Sequence, residues 1–418
     1  MVRMEQESRF KPPDRMRTLP IYTMGFFCLS IQPMMSLLIP LWALSLGASP
    51  LFIGLSVSAG AVLPSLFSIN SGAVIDRLGT KTVLFYSPLV IASISALYTL
   101  FPLISVLITL QLFFGLIQSM SWISAQTHVA KLTRQSGNNH YASSFSFAVN
   151  LGNFSGPLIV GFAWDFIAPW AAFACVSAWC ICLWLSALIV PKEKEAKGQK
   201  EQKKPSVSLV RLLPNWRDYQ SAFALLAIPA VLIVIYGTFM RLSSSSIKSS
   251  FYLVYLEQIN FSASTVATIL SAHALAGTFS TLAVRYLSRY FQSITILFAA
   301  LIISIAPFCF TPLFVGYWSQ LLLVTVSGFG LGMTLPLLIS ILGHAVPSEK
   351  QGIAVGLRTS ANYMASFAIP LLFGLCVQAF GLTLSFYIIG AVLLLPMIFI
   401  MPAIVRNLDG KDRSHTSL

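Results

Sequence analysis

The chain has 418 residues, of which 56% are hydrophobic and only 9% carry a charge. A water-soluble domain carries roughly 25% charged residues, so this composition excludes an ordinary soluble protein and indicates a surface covered mostly by lipid. The formal net charge of +13 at pH 7 would suit a nucleic-acid partner. The basic residues, however, lie in the segments between apolar runs, which argues against such a partner.

Twelve apolar runs are each long enough to cross a bilayer core of ~30 Å as a helix, which takes ~20 residues. The predicted helices cover 19–44, 51–74, 83–102, 104–127, 142–165, 169–190, 220–254, 264–286, 293–312, 315–343, 353–377 and 382–405. We therefore predict an all-α membrane protein with twelve transmembrane helices.

The segment before predicted helix 1 is too highly charged for a secretory signal peptide, and no small-residue cleavage site follows this helix. We therefore expect helix 1 to remain in the protein. Gln32 lies within it and is a candidate for hydrogen bonding to a polar substrate.

A short charged segment joins predicted helices 2 and 3 and has the sequence Gly72-Ala-Val-Ile-Asp76-Arg77-Leu-Gly79-Thr-Lys81. Its spacing, G-x-x-x-D-R-x-G-x-K, resembles the signature loop of the major facilitator superfamily of transporters. The resemblance implies a twelve-helix fold, a cytoplasmic loop, and docking of this loop against helix 11. The residues for which it implies a gating role are Gly72, Asp76, Arg77, Gly79 and Lys81, with Arg358 of helix 11 as the partner of Asp76.

Polar side chains recur at helical spacing in predicted helix 4, at Gln111, Gln118, Trp122 and Gln126. On one helix face they could hydrogen-bond a substrate while the indole stacks on a ring, and hydrogen bonds between helices are the alternative. Many proton-coupled members of the resembled superfamily carry an arginine four residues before a glycine in this helix. Here Gln111 stands four residues before Gly115.

Predicted helix 5 contains Gly152-Asn-Phe-Ser-Gly156-Pro157-Leu-Ile-Val-Gly161. This segment resembles the G-x-x-x-G-P-x-x-G-G motif of drug and metabolite exporters in the same superfamily, with Val160 in place of one glycine. Its small residues and its proline predict a smooth, kinked and closely packed helix face. Such a face can act as a packing hinge between bundles, and ordinary tight membrane packing is the alternative.

A hydrophilic segment, 191–219, separates two groups of six apolar helices. Weak similarity between the groups aligns Gly161 with Gly374 at an offset of 213 residues. Internal repeats are typical of transporters whose substrate site lies between the two halves. We therefore predict two pseudo-symmetric six-helix bundles, 1–190 and 220–418, joined by a charged cytoplasmic linker that contains an amphipathic helix.

Two basic residues interrupt predicted helix 7, Arg241 and Lys248, and they share one helical face with Ser244 and Ser245 between them. An ionisable residue at membrane depth indicates a functional site. No acidic residue lies in the middle of any predicted helix, so a wet cavity or an anionic or zwitterionic substrate would have to stabilise these cations. The alternative is structural, with Lys248 reaching the membrane interface and Arg241 bonding backbone carbonyls.

Three further polar residues lie in predicted helices 5, 8 and 11. Asn150 and Asn362 are candidates for the substrate cavity. His273 is a candidate proton site, because imidazole titrates near neutral pH, and a hydrogen bond within the helix packing is its alternative role.

Apart from Arg241 and Lys248, all of the 26 Lys and Arg residues fall in the tails and in loops that share one side of the membrane. The positive-inside rule makes this side cytoplasmic, with both termini on it. The excess of basic residues is therefore explained by the topology of the protein in the membrane. The basic tails and loops would also contact anionic membrane lipid. The short loops lead us to expect a bacterial cytoplasmic (inner) membrane.

The sequence contains no phosphate-binding G-x-x-x-x-G-K-[ST] loop and no metal-ligand cluster of His and Cys. We therefore expect a monomeric protein that is not an enzyme and binds neither a metal nor a cofactor. The leading hypothesis is secondary active transport of a small organic solute by alternating access, in the export direction. Two alternatives stay open: an uptake permease or facilitator for an organic anion without proton coupling, and a receptor or scaffold that transports nothing.

Overall fold

A computed structural model describes residues 15–136, 140–189, 225–346 and 351–415 of the chain. Within these ranges, only the backbone is described for 15–18, 68–74, 76–77, 134–136, 140, 142–143, 344, 351–353 and 400–415. The predicted linker 191–219, with its amphipathic helix, lies outside the described residues.

Twelve helices in the described part of the chain are long and apolar enough to cross a membrane, the seventh being built from two segments. They are α1 (Arg15–Ser45), α2 (Pro50–Leu78), α3 (Thr80–Leu100), α4 (Ile104–Ser136), α5 (His140–Phe166), α6 (Pro169–Ile189), α7a (Pro229–Lys248), α7b (Phe251–Gln258), α8 (Ala263–Leu287), α9 (Ser293–Phe310), α10 (Tyr317–Ala345), α11 (Gln351–Phe380) and α12 (Leu382–His415). This confirms the predicted all-α fold with twelve membrane-spanning helices.

The seventh helix differs from its predicted extent of 220–254. A 3-10 turn precedes it, and α7a begins with Pro229 at its first turn, where the missing N–H of proline costs nothing. The helix then breaks at Ser250, whose backbone torsions, φ −126° and ψ −98°, are not helical. The apolar run continues through this break, so the break could not be predicted from the sequence. Hydropathy indicates which residues lie in lipid and carries no information about backbone geometry.

Two other helices continue well beyond their apolar runs. α4 extends to Ser136 where the sequence predicts an end near 127, and α12 extends to His415 where the prediction ends near 405. Polar residues can continue a helix into water, so hydropathy marks only the part of a helix that lies in lipid.

The helix contacts repeat between the two halves of the chain. α1 packs on α5, α2 on α4 and α3 on α6, and the equivalent pairs in the second half are α7a with α11, α8 with α10 and α9 with α12. Between the halves, α2 packs on α11 and α5 packs on α8. These pairings agree with the internal repeat seen in the sequence.

Two ends of the helix bundle can be distinguished. The basic end carries the α2–α3 turn at Gly79 and the α8–α9 turn at Arg289. The far end carries the turns between α1 and α2, α3 and α4, α5 and α6, and α7b and α8.

Candidate functional site

Two adjoining cavities lie between the halves of the protein. The central cavity, of about 330 Å³, lies among α1, α2, α4, α7a and α11. The basic-end cavity, of about 1000 Å³, lies among α1, α4, α5, α7a and α10 and reaches Thr133 near the end of α4. Leu29 and Trp122 line both cavities, so the two lie side by side and share part of their walls.

Most of the sequence-predicted binding residues line these cavities. The central cavity is lined by Gln32, Gln111, Gln118, Trp122 and Ser245. The basic-end cavity is lined by Trp122, Gln126, Asn150 and Arg241. The structure therefore brings together predicted binding residues from four different helices.

The glutamines Gln111 and Gln118 of α4 both form hydrogen bonds between helices and line the cavity, which are the two roles considered for them in the sequence analysis. The Tyr98 hydroxyl donates to Gln111 Oε1 at 2.8 Å, and Gln118 Nε2 donates to the Cys28 carbonyl oxygen at 2.9 Å. The second amide oxygen, Gln118 Oε1, is buried and has no hydrogen-bond partner. Each glutamine is thus held in place by one hydrogen bond, and each also lines the cavity.

Trp122 forms part of the wall where the two cavities meet. Its indole lies roughly parallel to the Phe145 ring, with centroids 5.9 Å apart and an interplanar angle of 19°. This contact fixes the indole as a flat apolar surface between the cavities.

Two residues of helix 7 point away from the cavities, contrary to the expectation of one shared face. The hydroxyl of Ser244 donates to the Ser304 carbonyl oxygen of α9 at 2.9 Å, so this side chain packs within its own half. Lys248 is the last residue of α7a, and its long side chain reaches α8, where Nζ lies 3.4 Å from His273 Nδ1. His273 is buried, and its Nε2 has no hydrogen-bond partner.

Arg241 has no described acidic partner. Its Nε atom is buried without a hydrogen-bond partner among the described residues, as is the Nε atom of Arg358. Asp165 and Glu257 are the acids whose side chains the structure describes, and both lie at far-end helix termini.

The segment 72–81, for which the sequence predicts a gating role, is described at its turn. Gly79 is the single residue between α2 and α3, and its φ of 83° is a conformation that glycine adopts without strain. Lys81 follows in the first turn of α3. Gly72, Asp76 and Arg77 lie in the last turns of α2, where the structure describes the backbone but not the side chains, so the predicted pair of Asp76 with Arg358 lies outside what is described.

The glycines of the helix 5 motif contact two different partners. Gly156 packs on α1, where an added Cβ would lie 2.9 Å from Met34 Cγ, and Gly152 packs on the same helix. Gly161 packs across the two halves, where an added Cβ would lie 2.8 Å from the Ala263 carbonyl oxygen of α8. Pro157 lies inside α5 between these contacts.

Hydrogen bonds between the halves close the far end, and the sequence reasoning did not find them. Asp165 at the end of α5 accepts from the backbone N–H groups of Ala263 (3.1 Å) and Ser264 (2.6 Å), the first residues of α8. The Ser271 hydroxyl donates to the Phe154 carbonyl oxygen at 2.7 Å. We call the contacts of α5 with α8, together with those of α2 with α11, the far-end interface.

The contact of α2 with α11 has the same construction. The Ser58 hydroxyl donates to the Phe367 carbonyl oxygen at 2.7 Å, and an added Cβ on Gly374 would lie 2.8 Å from the Pro50 carbonyl oxygen. Gly374 is the repeat equivalent of Gly161, so equivalent glycines permit close approach at both contacts between the halves.

A bundle of twelve spanning helices around an internal cavity that is lined in part by polar side chains is consistent with a membrane transport protein. The family model of the Major Facilitator Superfamily matches residues 21–368 and 233–416 of the sequence. The chain therefore belongs to the Major Facilitator Superfamily, and it is an integral, multi-pass membrane transporter of small solutes.

Relatives and solved structures agree with this assignment. The chain is 20% identical to quinolone resistance protein NorA of Staphylococcus aureus (strain MSSA476) over 337 residues, which cover 80% of this chain and 83% of NorA. The crystal structure of a point mutant of nucleoside transporter NupG matches with a TM-score of 0.78 at 15% identity, covering 92% of this chain and 99% of NupG. A bacterial homologue of the human lysosomal transporter Spinster, in an inward-facing and unoccupied conformation, matches with a TM-score of 0.71 at 12% identity, covering 94% and 96%. At these identities the solved structures establish the fold alone.

Proposed function

We propose that the protein is a secondary active transporter that moves a small anionic or zwitterionic organic solute by alternating access, in the export direction. The observation that carries this proposal is Arg241, a cation without a described acidic partner in the wall of a largely apolar cavity between the halves. An anionic group of the solute would supply the missing counter-charge. The proposed binding residues are Gln32, Gln111, Gln118, Trp122, Asn150, Arg241, Ser245 and Asn362, of which Asn362 is not among the cavity-lining residues but precedes Tyr363, which lines the central cavity.

The cavity and the far-end interface together support alternating access. The cavity reaches the basic end, while the far end is closed by contacts such as Asp165 with the start of α8. If the basic end faces the cytoplasm of a bacterium, as the Lys and Arg distribution predicts, this conformation receives solute from inside. In the opposite conformation, we propose that the basic end is held by Gly72, Asp76, Arg77, Gly79, Lys81 and Arg358.

The domain organisation follows the same proposal. We propose that the protein works as a monomer in which two bundles, 1–190 and 220–418, move relative to each other. The linker 191–219 would lie at the cytoplasmic surface. Gly152 and Gly156 keep α5 tightly attached to α1, whereas Gly161 contacts α8 of the other bundle. These two kinds of contact fit a movement in which α5 stays packed on α1 within the first bundle while its far end separates from α8 of the second bundle.

Export is favoured by the exporter-type motif of helix 5 and by the likeness to NorA, whose name denotes quinolone resistance. An uptake permease for an organic anion is the second candidate. The cation in the cavity wall supports export and uptake equally, because it bears on the charge of the solute and gives no information on the direction of transport. Ligand-dependent thermal stabilisation combined with absence of transport would favour a receptor instead.

The direct test is a transport screen with the full chain in sealed vesicles. Anionic, zwitterionic and cationic metabolites and drugs are offered with and without a pH gradient, and in both vesicle orientations. We expect transport of an anionic or zwitterionic solute, reduced by Arg241→Gln. Transport confined to cations, or full transport in the Arg241→Gln variant, would contradict the assigned solute class.

A second expectation concerns proton coupling. In the described part of the membrane-spanning helices, His273 with Lys248 is a pair of titratable groups buried away from the cavity. If His273 carries the coupling proton, His273→Gln should abolish the stimulation of transport by a pH gradient while leaving solute binding within about twofold of the wild type. Unchanged stimulation in this variant would remove His273 from the coupling mechanism.

A further inference from the structure

Three carboxamide side chains line the basic-end cavity together with Arg241. Gln126 of α4 and both Asn150 and Asn153 of α5 belong to the first half of the chain, whereas Arg241 of α7a belongs to the second. Asn153 was not singled out in the sequence. The rest of the cavity wall is largely apolar, and in such cavities a few polar groups determine which ligand binds and in which orientation.

The three carboxamides are available to a ligand. Gln126 and Asn150 are exposed, Asn153 is half-buried, and none of them makes a hydrogen bond to another described residue. They differ in this respect from Gln111 and Gln118 of the central cavity, each of which is held by a hydrogen bond. Because a carboxamide has a C=O acceptor and an NH₂ donor, these side chains offer both kinds of hydrogen-bonding group.

The same cavity contains a flat aromatic wall. Gln126 follows Trp122 by about one turn of α4, and Asn150 and Asn153 are three residues apart in α5, so each pair shares a helix face. Trp122 is stacked on Phe145, with ring centroids 5.9 Å apart, and the rest of its indole contributes to the cavity wall. A flat ring that stacks on this indole would therefore lie in a cavity with carboxamides from two helices.

The chemistry of the carboxamides selects a particular kind of ring. A carboxamide pairs best with an edge that carries a hydrogen-bond donor beside an acceptor, as Asn and Gln do with the edge of adenine. A carboxylate or a phosphate has acceptors alone, and a hydrocarbon ring has neither group. A heteroaromatic ring with amide or imide groups would use both ends of each carboxamide, and its face can stack on the indole.

We propose that the three carboxamides and the indole of Trp122 form a subsite for a flat heteroaromatic ring whose edge carries both hydrogen-bond donors and acceptors. The anionic group of the same solute would bind Arg241, which lines the same cavity. This inference rests on the transport function proposed above and narrows its substrate class to anionic heteroaromatic compounds. Asn153 is thereby added to the residues that determine specificity.

The test uses simple compounds that separate the ring, its edge and the charge. Orotate has a flat ring, an imide edge and a carboxylate. Benzoate lacks the imide edge, uracil lacks the carboxylate, and cyclohexanecarboxylate has a puckered ring. Thermal unfolding of the purified full-length protein is measured with each compound at constant pH and ionic strength, and apparent dissociation constants are derived from the stabilisation. We expect orotate to bind at least roughly tenfold more tightly than each of the others.

Variants assign each part of the ligand to a part of the subsite. Asn150→Ala and Asn153→Ala should each weaken orotate binding by roughly two- to tenfold, the effect of one neutral hydrogen bond, and change benzoate binding by less than twofold. Binding of benzoate also shows that these variants are folded. Arg241→Gln should weaken binding of both orotate and benzoate, and Trp122→Leu should do the same because both compounds contain a flat ring.

A matched control removes a carboxamide elsewhere. Gln258→Ala changes an exposed glutamine at the end of α7b, outside both cavities, and should leave the binding of every compound unchanged. Gln126→Leu repeats the test on α4 if the α5 variants do not fold. Equal binding of orotate and benzoate by the wild type, equal effects of the Asn variants on both compounds, or no stabilisation by orotate would each overturn the proposal.

The outcomes also distinguish this inference from the transport function. If an organic anion is transported in a manner that depends on Arg241, while orotate binds no better than benzoate, the subsite is rejected and the transporter stands. If orotate binding depends on Asn150 and Asn153 but no solute of any class is moved in vesicles, the subsite stands and the transport function is rejected.

Discussion

Replacing Asp165 with alanine is expected to shift the protein toward a conformation that is open at the far end. The substitution removes a carboxylate that accepts from the N–H groups of Ala263 and Ser264 at the start of α8, where the helix dipole favours a negative charge. These bonds are partly exposed, so their loss should cost about 1–2 kcal/mol, which shifts the conformational equilibrium roughly five- to thirtyfold.

The shift is measured with a cysteine at Ser249, which lines the central cavity, in a version of the protein whose six native cysteines are replaced. A membrane-impermeant maleimide added from the far side should label this cysteine faster in the Asp165→Ala variant. Glu257→Ala is the matched control, because Glu257 is the other described far-end acid and is exposed. Equal labelling rates in the wild type and the Asp165→Ala variant would show that this carboxylate does not hold the far end closed.

Replacing Gly161 with alanine is expected to open the same interface by steric means and to reduce transport at least tenfold. The new methyl group would lie 2.8 Å from the Ala263 carbonyl oxygen, so α5 and α8 could not approach as closely as they do. Overpacking of this kind typically costs about 1–3 kcal/mol. Because the closed far end is the conformation that loses stability, the cycle should stall with the far end open.

Gly343→Ala provides the control for this substitution, since no atom of the described residues lies within 4 Å of an added Cβ there. We expect it to transport as the wild type does, whereas Gly161→Ala should show both slow transport and fast labelling of the cysteine at position 249. Normal transport by Gly161→Ala would mean that the α5–α8 contact adapts to the methyl group and does not limit the cycle.

The parts of this protein that the sequence predicts best are those governed by local chemistry. Lipid exposure determines the composition of each span, so the twelve helices could be found from hydropathy. The left-handed conformation at Gly79 could be anticipated because few other residues adopt it. The glycine pair Gly161 and Gly374 could be related by the repeat, and both lie at contacts between the halves.

The parts that the sequence predicts poorly are those decided by neighbouring helices. Helical spacing places Ser244, Ser245 and Lys248 on related faces of an isolated helix, but it does not say which neighbour each face meets. In the fold, Ser244 meets α9, Lys248 meets α8, and Ser245 meets the cavity. The hydrogen bond from Ser58 to the Phe367 carbonyl oxygen joins positions 309 residues apart, and no local sequence pattern could have indicated it.

The role of Asp165 could not be predicted from the sequence for the same reason, because it depends on a neighbouring helix. In the sequence, this residue is an isolated acid near the end of an apolar run, and nothing near it in the chain indicates a partner. In the fold, its carboxylate accepts hydrogen bonds from two backbone N–H groups of α8. The sequence does carry a relevant sign, an acid at the end of one helix and a serine cap at the start of another, but their pairing depends on how the halves pack.

The break in the seventh helix has a consequence for the order of events in transport. α7a, which carries Arg241, is attached to α9 through Ser244, whereas α7b is attached to α11, where the rings of Phe251 and Phe373 stack at 4.9 Å. α7a also packs on α11, and the non-helical torsions at Ser250 make the junction between the two segments a bend in the helix. Under the alternating-access mechanism proposed above, bending at this junction would let the far end tighten around a bound solute before the arginine side of the helix moves, so that the solute passes through an occluded intermediate sealed from both compartments.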